Sequence, residues 1–279
     1  MKLSSSFRIF FALYFAALIF CLGARIWLKL NAMDPETGFY IGNTALVNAF
    51  NIVLALCIAS LLLFYLFNRT DRDYPVLRGD KITAFFALLT GLAIAFLQLE
   101  TLQIPGFGAI NPGVALSGIP LIVSAVFGWF SSLVFIFIGG RALFSKGIMR
   151  DGIFFLIAGV WLMLTLVFKF NSYTTLTTVS DNLLAVLFML FCSLFLTGHA
   201  RTLEGLSRKD GRNYAIPTGL SASLCGILLV VPNWIWAGVN QSFILPAPML
   251  GSFESVLVFL LSIYALLFVR HISLSIRYV

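Results

Sequence analysis

The sequence predicts an all-α integral membrane protein with eight transmembrane helices. Sixty per cent of its 279 residues are apolar, only 10% are charged, and the mean hydropathy is +1.01. A soluble protein of this length needs far more charged surface. Helices are predicted rather than strands because the apolar runs are long and uninterrupted, whereas the strands of a membrane barrel alternate in segments of about 10 residues.

Eight windows approach or exceed the length of about 20 mostly apolar residues that a bilayer-spanning helix needs. They cover residues 8–29, 44–67, 82–102, 115–140, 152–169, 182–199, 217–237 and 252–270. Only short connections remain, so we expect one polytopic domain over residues 1–279 and no soluble domain. The first window resembles a secretory signal, but Leu22 is a poor residue for the −3 position of a cleavage site. We therefore expect it to be retained as span one.

The basic residues predict how the spans are oriented. Of the 18, all but three lie at or before the start of span one, after span eight, or in connections that follow even-numbered spans. The exceptions are Arg25, Lys29 and Lys169. Because Lys and Arg concentrate in cytoplasmic loops, we expect both termini in the cytoplasm and the protein in the inner or plasma membrane of the cell. The net charge of +7 then reflects topology, and we expect no nucleic-acid partner.

The two halves of the chain resemble each other. The Ile-Phe-Phe motif that begins at Ile9 recurs at Ile153, and the same offset relates Arg25 to Lys169. Matches in the later spans keep a nearly constant, smaller offset, as one deletion in an outer loop would produce. We predict two parallel four-helix repeats about an axis near the membrane normal, against the alternative of eight unrelated spans. The repeats are residues 1–148 and 149–279.

Polar side chains at membrane depth are costly and indicate a functional site. In this chain they gather at the outer ends of the spans. We expect them to line a cavity open to the outside, with Glu100 as its acid, paired with Arg25 or Lys169 across the two halves. The candidate cavity residues are Arg25, Asn48, Asn51, Gln98, Glu100, Lys169 and Asp181.

The alternative for these residues is an interfacial role. Asp181 suits the first turn of a helix, where a carboxylate caps free N–H groups and favours the helix dipole. Arg25 and Lys29 are four residues apart and would extend to lipid phosphates. Small residues at four-residue spacing, such as Gly91 in span three and Gly219 in span seven, predict seams of close helix packing.

Catalysis has little support, because the sequence contains no catalytic or phosphate-binding motif. His199 and His271 each lie beside an arginine at the cytoplasmic end of a span and resemble basic ends that face anionic lipid. A serine hydrolase would need His199 within hydrogen-bond reach of Ser221. The four cysteines lie in four different spans, where we expect buried free thiols. We expect no cofactor and no metal site.

The leading functional hypothesis is a small-molecule carrier or permease of unknown substrate, based on the repeat and on the polar groups at one side of the bundle. Carriers usually bind substrate near the midplane through broken helices, whereas the span centres here are almost entirely apolar. One alternative is a structural or accessory subunit that binds other membrane proteins. A further alternative is a membrane enzyme that acts on lipid.

Overall fold

The computed structural model describes residues 5–33, 40, 44–67, 80–101, 119–144, 152–172, 179–204, 208–239 and 252–275. Over these residues the chain is helical, apart from an isolated bridge between Met33 and Tyr40. The helices are α1 (Ser5–Ala32), α2 (Thr44–Phe67), α3 (Lys81–Thr101), α4 (Ile119–Phe144), α5 (Phe155–Ser172), α6 (Val179–Glu204), α7 (Arg208–Val239) and α8 (Ser252–Ser275), with one 3-10 turn (Gly152–Phe154) before α5.

Seven of these helices are long and apolar enough to cross a membrane, and α5 is a shorter apolar helix. The prediction of a helical membrane protein is confirmed at this level. The largest difference from the predicted windows is at α7, which begins at Arg208 and contains Pro217. Its polar first turns pack on the end of α6: a Cβ on Gly211 would lie 2.7 Å from the backbone N of Thr202. This packing extends α7 beyond its apolar part.

Six helices form a closed ring in which each packs on the next: α3 on α4, then α5, α6, α7 and α8, which returns to α3. Helices α1 and α2 pack together and against α7 from outside the ring. Only 28% of the most apolar window of either α1 or α2 is buried, against 89% for α7. Two peripheral helices are therefore held to the ring mainly through α7.

Helix α7 is the most deeply enclosed helix among the seven spans. Every residue from 215 to 230 is buried. Its span nevertheless has the lowest mean hydropathy of the seven, because its neighbours are other helices rather than lipid tails. Close approach depends on small residues. A Cβ on Gly219 would lie 2.8 Å from the Phe195 ring, and one on Gly226 would meet Ser262.

A second seam of small residues joins α3 and α4. A Cβ on Gly91 would lie 2.9 Å from the backbone N of Ile136, and one on Gly139 would lie 2.8 Å from the backbone N of Leu88. The Ser132 hydroxyl donates to the carbonyl oxygen of Gly91 at 2.8 Å. The two backbones are thus in direct contact, as the spacing of small residues in span three predicts.

The helix pairs differ between the two predicted repeats. Helix α6 has the most extensive interface of the bundle with α7, the next helix along the chain. Its counterpart α2 packs instead on α1 and on α7. The tandem repeat remains a prediction from the sequence.

Candidate functional site

Four polar side chains from three helices meet inside one end of the bundle, and we call them the charge cluster. They are Arg25 and Lys29 near the end of α1, Asp181 in the first turn of α6, and Asn233 near the end of α7. Each is at most 3% exposed. Helix α6 runs antiparallel to α1 and α7, so α6 begins where the other two helices end. All four residues therefore lie at the same end of the bundle.

Asp181 bonds both cations of the charge cluster. The Lys29 Nζ donates to Asp181 Oδ2 at 2.8 Å, and the Arg25 Nη2 donates to Asp181 Oδ1. Lys29 also donates to Asn233 Oδ1. The Asn233 amide in turn donates to the carbonyl oxygen of Leu229 at 2.7 Å, which orients its oxygen toward Lys29. Charge and hydrogen bonding therefore tie α1 to α6 and α7 at this end.

Two aromatic residues lie close to Arg25. Its Cζ lies 5.5 Å from the centre of the Phe50 ring, which joins α2 to the cluster through a cation–π contact. Burial raises the pKa of Tyr40 to about 12; Arg25 opposes this shift and Asp181 adds to it. The Tyr40 hydroxyl therefore stays protonated at physiological pH, and it has no hydrogen-bond partner among the described residues.

Of the candidate cavity residues, the structure brings together Arg25 and Asp181. Arg25 pairs with Asp181 instead of Glu100, and among the described residues the carboxylate of Glu254 lies near enough to Glu100 to affect it electrostatically. Glu100 ends α3, which packs on α8, whereas Arg25 lies on α1 beside α7. The side chain of Lys169 lies outside the described residues.

The other candidates are not part of the charge cluster, because they are less buried or lie on a different helix. Asn48 is exposed on α2 and Asn51 is half-buried. Gln98 is buried at the α3–α4 seam, where a Cβ on Gly128 would lie 2.3 Å from its Cδ. The Gln98 amide has space there because Gly128 has no side chain.

The expectation that Arg25 and Lys29 extend to lipid phosphates is wrong, because both are completely buried. Lys29 was missing from the candidate cavity residues, although its four-residue spacing from Arg25 places the two cations on one helical face. Asn233 was missing as well. Nothing in the local sequence distinguishes it from the polar residues that follow it in the chain.

A cleft opens at the opposite end of the bundle, inside the helix ring. It contains about 390 Å³ of empty space including its mouth, and residues of α3, α4, α5, α6 and α8 line it. Its polar and aromatic lining includes Asp80, Phe155, His199, Tyr264, Phe268 and His271.

His199 is the most enclosed polar group of this cleft. It is 1% exposed, and its Nε2 lies 2.8 Å from the Tyr264 hydroxyl. The rings of Phe155 and Phe268 lie 4.3 Å and 3.8 Å from the imidazole, centre to centre. Its Nδ1 has no hydrogen-bond partner in the part of the chain that the structure describes. A neutral imidazole has two hydrogen-bonding nitrogens, and of these Nε2 has a partner among the described residues.

These contacts correct two expectations about His199. It does not face lipid, because the ring and Tyr264 enclose it. Its hydrogen-bond partner is Tyr264 rather than Ser221, and the buried Ser221 hydroxyl has no partner among the described residues. No nucleophile–base pair forms at this position.

Asp80 marks the mouth of the cleft and caps α3. Its Oδ2 accepts hydrogen bonds from the backbone N of Thr83 at 3.1 Å and from the Thr83 hydroxyl at 2.8 Å. Its carbonyl oxygen accepts from the backbone N of Ala84 at 2.9 Å. This is the N-cap geometry that Asp and Asn favour equally, and it holds the carboxylate in a fixed place.

In the described ranges, no group of three or more His, Cys, Asp or Glu side chains could hold a metal ion. The four cysteines are free thiols, three of them buried. Fold and composition together define the class as a polytopic helical membrane protein. Comparison of the chain with protein families, with curated proteins and with solved structures found no match.

Proposed function

We propose that the protein is a small-molecule carrier of a cell membrane. One observation carries the proposal: the charge cluster and the cleft lie at opposite ends of one face of α6. Asp181 and His199 are separated by about five helical turns, or about 27 Å along the axis, so their side chains leave α6 on the same side. One end of this path is sealed and the other is open, as expected of one state in alternating access.

An apolar barrier lies between the two ends. Along the same face of α6, the residues Ala185, Phe188, Cys192 and Phe195 follow at spacings of three and four and are at most 1% exposed. In the proposed cycle, the charge cluster is the contact that seals the outer end and must break when that end opens. We assign the cleft to the cytoplasm because the basic residues concentrate on that side.

The cleft also answers the main objection that the sequence raises against a carrier. The span centres are apolar, but Tyr264 stands at the middle of α8 and presents its hydroxyl to His199. A polar pair deep in the ring is a suitable substrate contact. The candidate residues Arg25 and Asp181 then serve the outer seal rather than an open outer cavity.

Side-specific labelling tests the access model. In a variant whose four cysteines are replaced by alanine, Thr83→Cys should react with a membrane-impermeant thiol reagent in inside-out vesicles and stay protected in right-side-out vesicles. Adding Asp181→Asn should open the outer end and slow this reaction. The matched control is Asn48→Ala, which should leave the labelling rate unchanged. Equal labelling from both sides, or no effect of Asp181→Asn, counts against the model.

Transport itself is measured in proteoliposomes with a panel of radiolabelled amines, amino acids, carboxylates, nucleosides and sugars. We expect at least one compound to accumulate, and the uptake to stop when Thr83→Cys is blocked by the thiol reagent. A panel that shows no uptake above empty liposomes would reject the carrier hypothesis.

An accessory subunit is the second candidate, and Asn48 favours it. This amide is exposed on the peripheral helix α2, where a polar side chain facing lipid is costly unless another protein covers it. Purification in mild detergent should then yield a partner in fixed stoichiometry that Asn48→Leu releases. A monomer without a partner would favour the carrier.

A further inference from the structure

We infer that Cys21 and Cys57 form a two-coordinate binding site for Cu(I), a soft monovalent metal ion. Cys21 lies on α1 and Cys57 on α2, and their thiols are in hydrogen-bonding contact where these two helices pack together. Both cysteines are free; Cys21 is completely buried and Cys57 is half-buried. Two sulfur atoms from different helices therefore face each other at the periphery of the bundle. The inference is independent of the carrier hypothesis.

The number and type of ligands select the ion. Thiolate sulfur is a soft ligand, which favours Cu(I) and Zn²⁺ among biological metal ions. In structural sites Zn²⁺ is almost always bound by four ligands. Nowhere in the described helices do three His, Cys, Asp or Glu side chains come together to hold one ion. Cu(I) has a filled d shell and accepts two thiolates in a linear arrangement, so a pair of cysteines matches Cu(I) rather than Zn²⁺.

The contact between the two thiols is close to the geometry that a bound ion requires. A metal–thiolate bond is about 2.3 Å long, so two sulfur atoms on opposite sides of one ion lie roughly 4–5 Å apart. Thiols in contact already approach this separation. Helices α1 and α2 are both mostly exposed to their surroundings, so a small lateral shift of α2 admits the ion from the half-buried side of Cys57.

The charge cluster balances the charge of the metal complex. Both thiols lose their protons when the ion binds, so one monovalent cation and two thiolates carry one net negative charge. Arg25 follows Cys21 by four residues and lies on the same face of α1. Arg25 and Lys29 share the single carboxylate of Asp181, so the charge cluster has one net positive charge. The complex and the charge cluster together are neutral.

The other titratable groups near the cysteine pair lie on α1 and α7. Cys225 of α7 is close enough to Cys21 and Arg25 for electrostatic interaction with both. The Tyr14 hydroxyl is 2.9 Å from the Ser223 hydroxyl. Within the described chain, Cys225 is not placed to share a metal ion with the pair. Cys225 therefore serves as a test of the coordination number.

Binding is measured on the purified full-length protein in detergent, without oxygen, by competition for Cu(I) with the coloured chelator bicinchoninate. We expect one Cu(I) per chain. Cys21→Ala and Cys57→Ala should each weaken binding by more than about a hundredfold, because loss of even an outer-shell partner costs about 10–100-fold. Cys192→Ala is the matched control: its thiol is buried on α6, away from the α1–α2 contact, and its loss should leave the affinity unchanged.

Two further measurements count the ligands. X-ray absorption at the copper edge should show two sulfur neighbours, and Cys225→Ala should leave this spectrum unchanged. The Kd should decrease about a hundredfold for each unit increase in pH, because two protons leave on binding. A third sulfur that Cys225→Ala removes, or a tenfold dependence on pH, would overturn the two-thiolate assignment.

Folding of each variant is checked by its Tm. Because Cys57 is half-buried, Cys57→Ala should fold normally, and it alone decides the question if Cys21→Ala does not fold. Failure of the unmodified protein to retain Cu(I) against the chelator would overturn the inference, as would equal retention by Cys57→Ala or equally tight binding of Zn²⁺. The transport assays have no bearing on these outcomes, so the site and the carrier hypothesis stand or fall separately.

Discussion

Arg25 and Asp181 are 156 residues apart in the chain and form an ion pair inside the bundle. The pair connects the first helix to the sixth, and Lys29 shares the same carboxylate. Because α1 is mostly exposed to its surroundings, this polar attachment supplements a limited apolar interface. Stability and, in the proposed cycle, gating should therefore both depend on Asp181.

Replacing Asp181 should destabilise the protein strongly. In Asp181→Asn, two buried cations lose their shared carboxylate, and breaking a buried ion pair in this way costs about 3–5 kcal/mol. Thermal unfolding in detergent, followed by tryptophan fluorescence, should show a large decrease in Tm. The control Asn48→Ala, at an exposed position of the same end, should change Tm little. Adding Arg25→Met and Lys29→Met to Asp181→Asn should restore stability; further loss would contradict this account.

The Asn233 amide should contribute a smaller but coupled effect. Asn233→Leu removes the acceptor for Lys29, and a buried donor left in this way costs about 1–3 kcal/mol. In a double-mutant cycle with Lys29→Met, the two effects should be less than additive. Asn31→Ala is the control, because among the described residues this exposed amide bonds locally, to the carbonyl oxygen of Trp27. Additive effects would show that Lys29 does not depend on Asn233.

Adjacent glycines of α4 provide a matched test of the α3–α4 seam. A Cβ on Gly139 would lie 2.8 Å from the backbone N of Leu88 and 2.9 Å from the carbonyl oxygen of Ala84, whereas one on Gly140 would have no atom of the described residues within 4 Å. Gly139→Ala must separate two backbones and should cost about 1–3 kcal/mol. Gly140→Ala should be neutral or stabilising by up to about 1 kcal/mol, because alanine favours helix. Equal Tm values for the two variants would mean that the helices are not in backbone contact.

The hydrogen bond between Tyr264 and His199 should stabilise the interior of the ring. Tyr264→Phe leaves the imidazole Nε2 without its partner, at a cost of about 1–3 kcal/mol. Tyr214→Phe, on an exposed ring of α7, should have no measurable effect on Tm. If His199→Phe removes the cost of Tyr264→Phe in a double-mutant cycle, the bond is the cause; if the cost persists, packing of the hydroxyl is responsible.

The spans could be predicted from the sequence, because hydropathy and length are properties of each segment alone. Residues 44–67 match α2 in full, and Asp181 lies in the first turn of α6 as its residue type indicates. The sequence does not predict which helices lie side by side in the bundle. Whether Arg25 meets Glu100 or Asp181 depends on which helices are neighbours, and apolar segments of similar composition do not specify that.

The same limit explains the difference at His199. His199 has arginine nearby in sequence, which suggested an exposed basic end, yet its surroundings are set by Phe155 and Tyr264 on other helices. Conversely, the small residues of α3 predicted close packing correctly, because a missing side chain has the same consequence beside any neighbouring helix. Local steric features were thus predictable, whereas partners far apart in sequence were not.

The ion pair between α1 and α6 also has a consequence for the order of synthesis. A ribosome adds about 5–20 residues per second, so roughly 8–30 s pass between the appearance of Arg25 and that of Asp181. During this interval α1 carries two cations that have not yet met their carboxylate, at the end of a helix that must already reside in or beside the bilayer. Helix α7, against which α1 packs, is made later still. A nascent chain of this protein therefore stays unfinished at its first helix until most of its length has been translated.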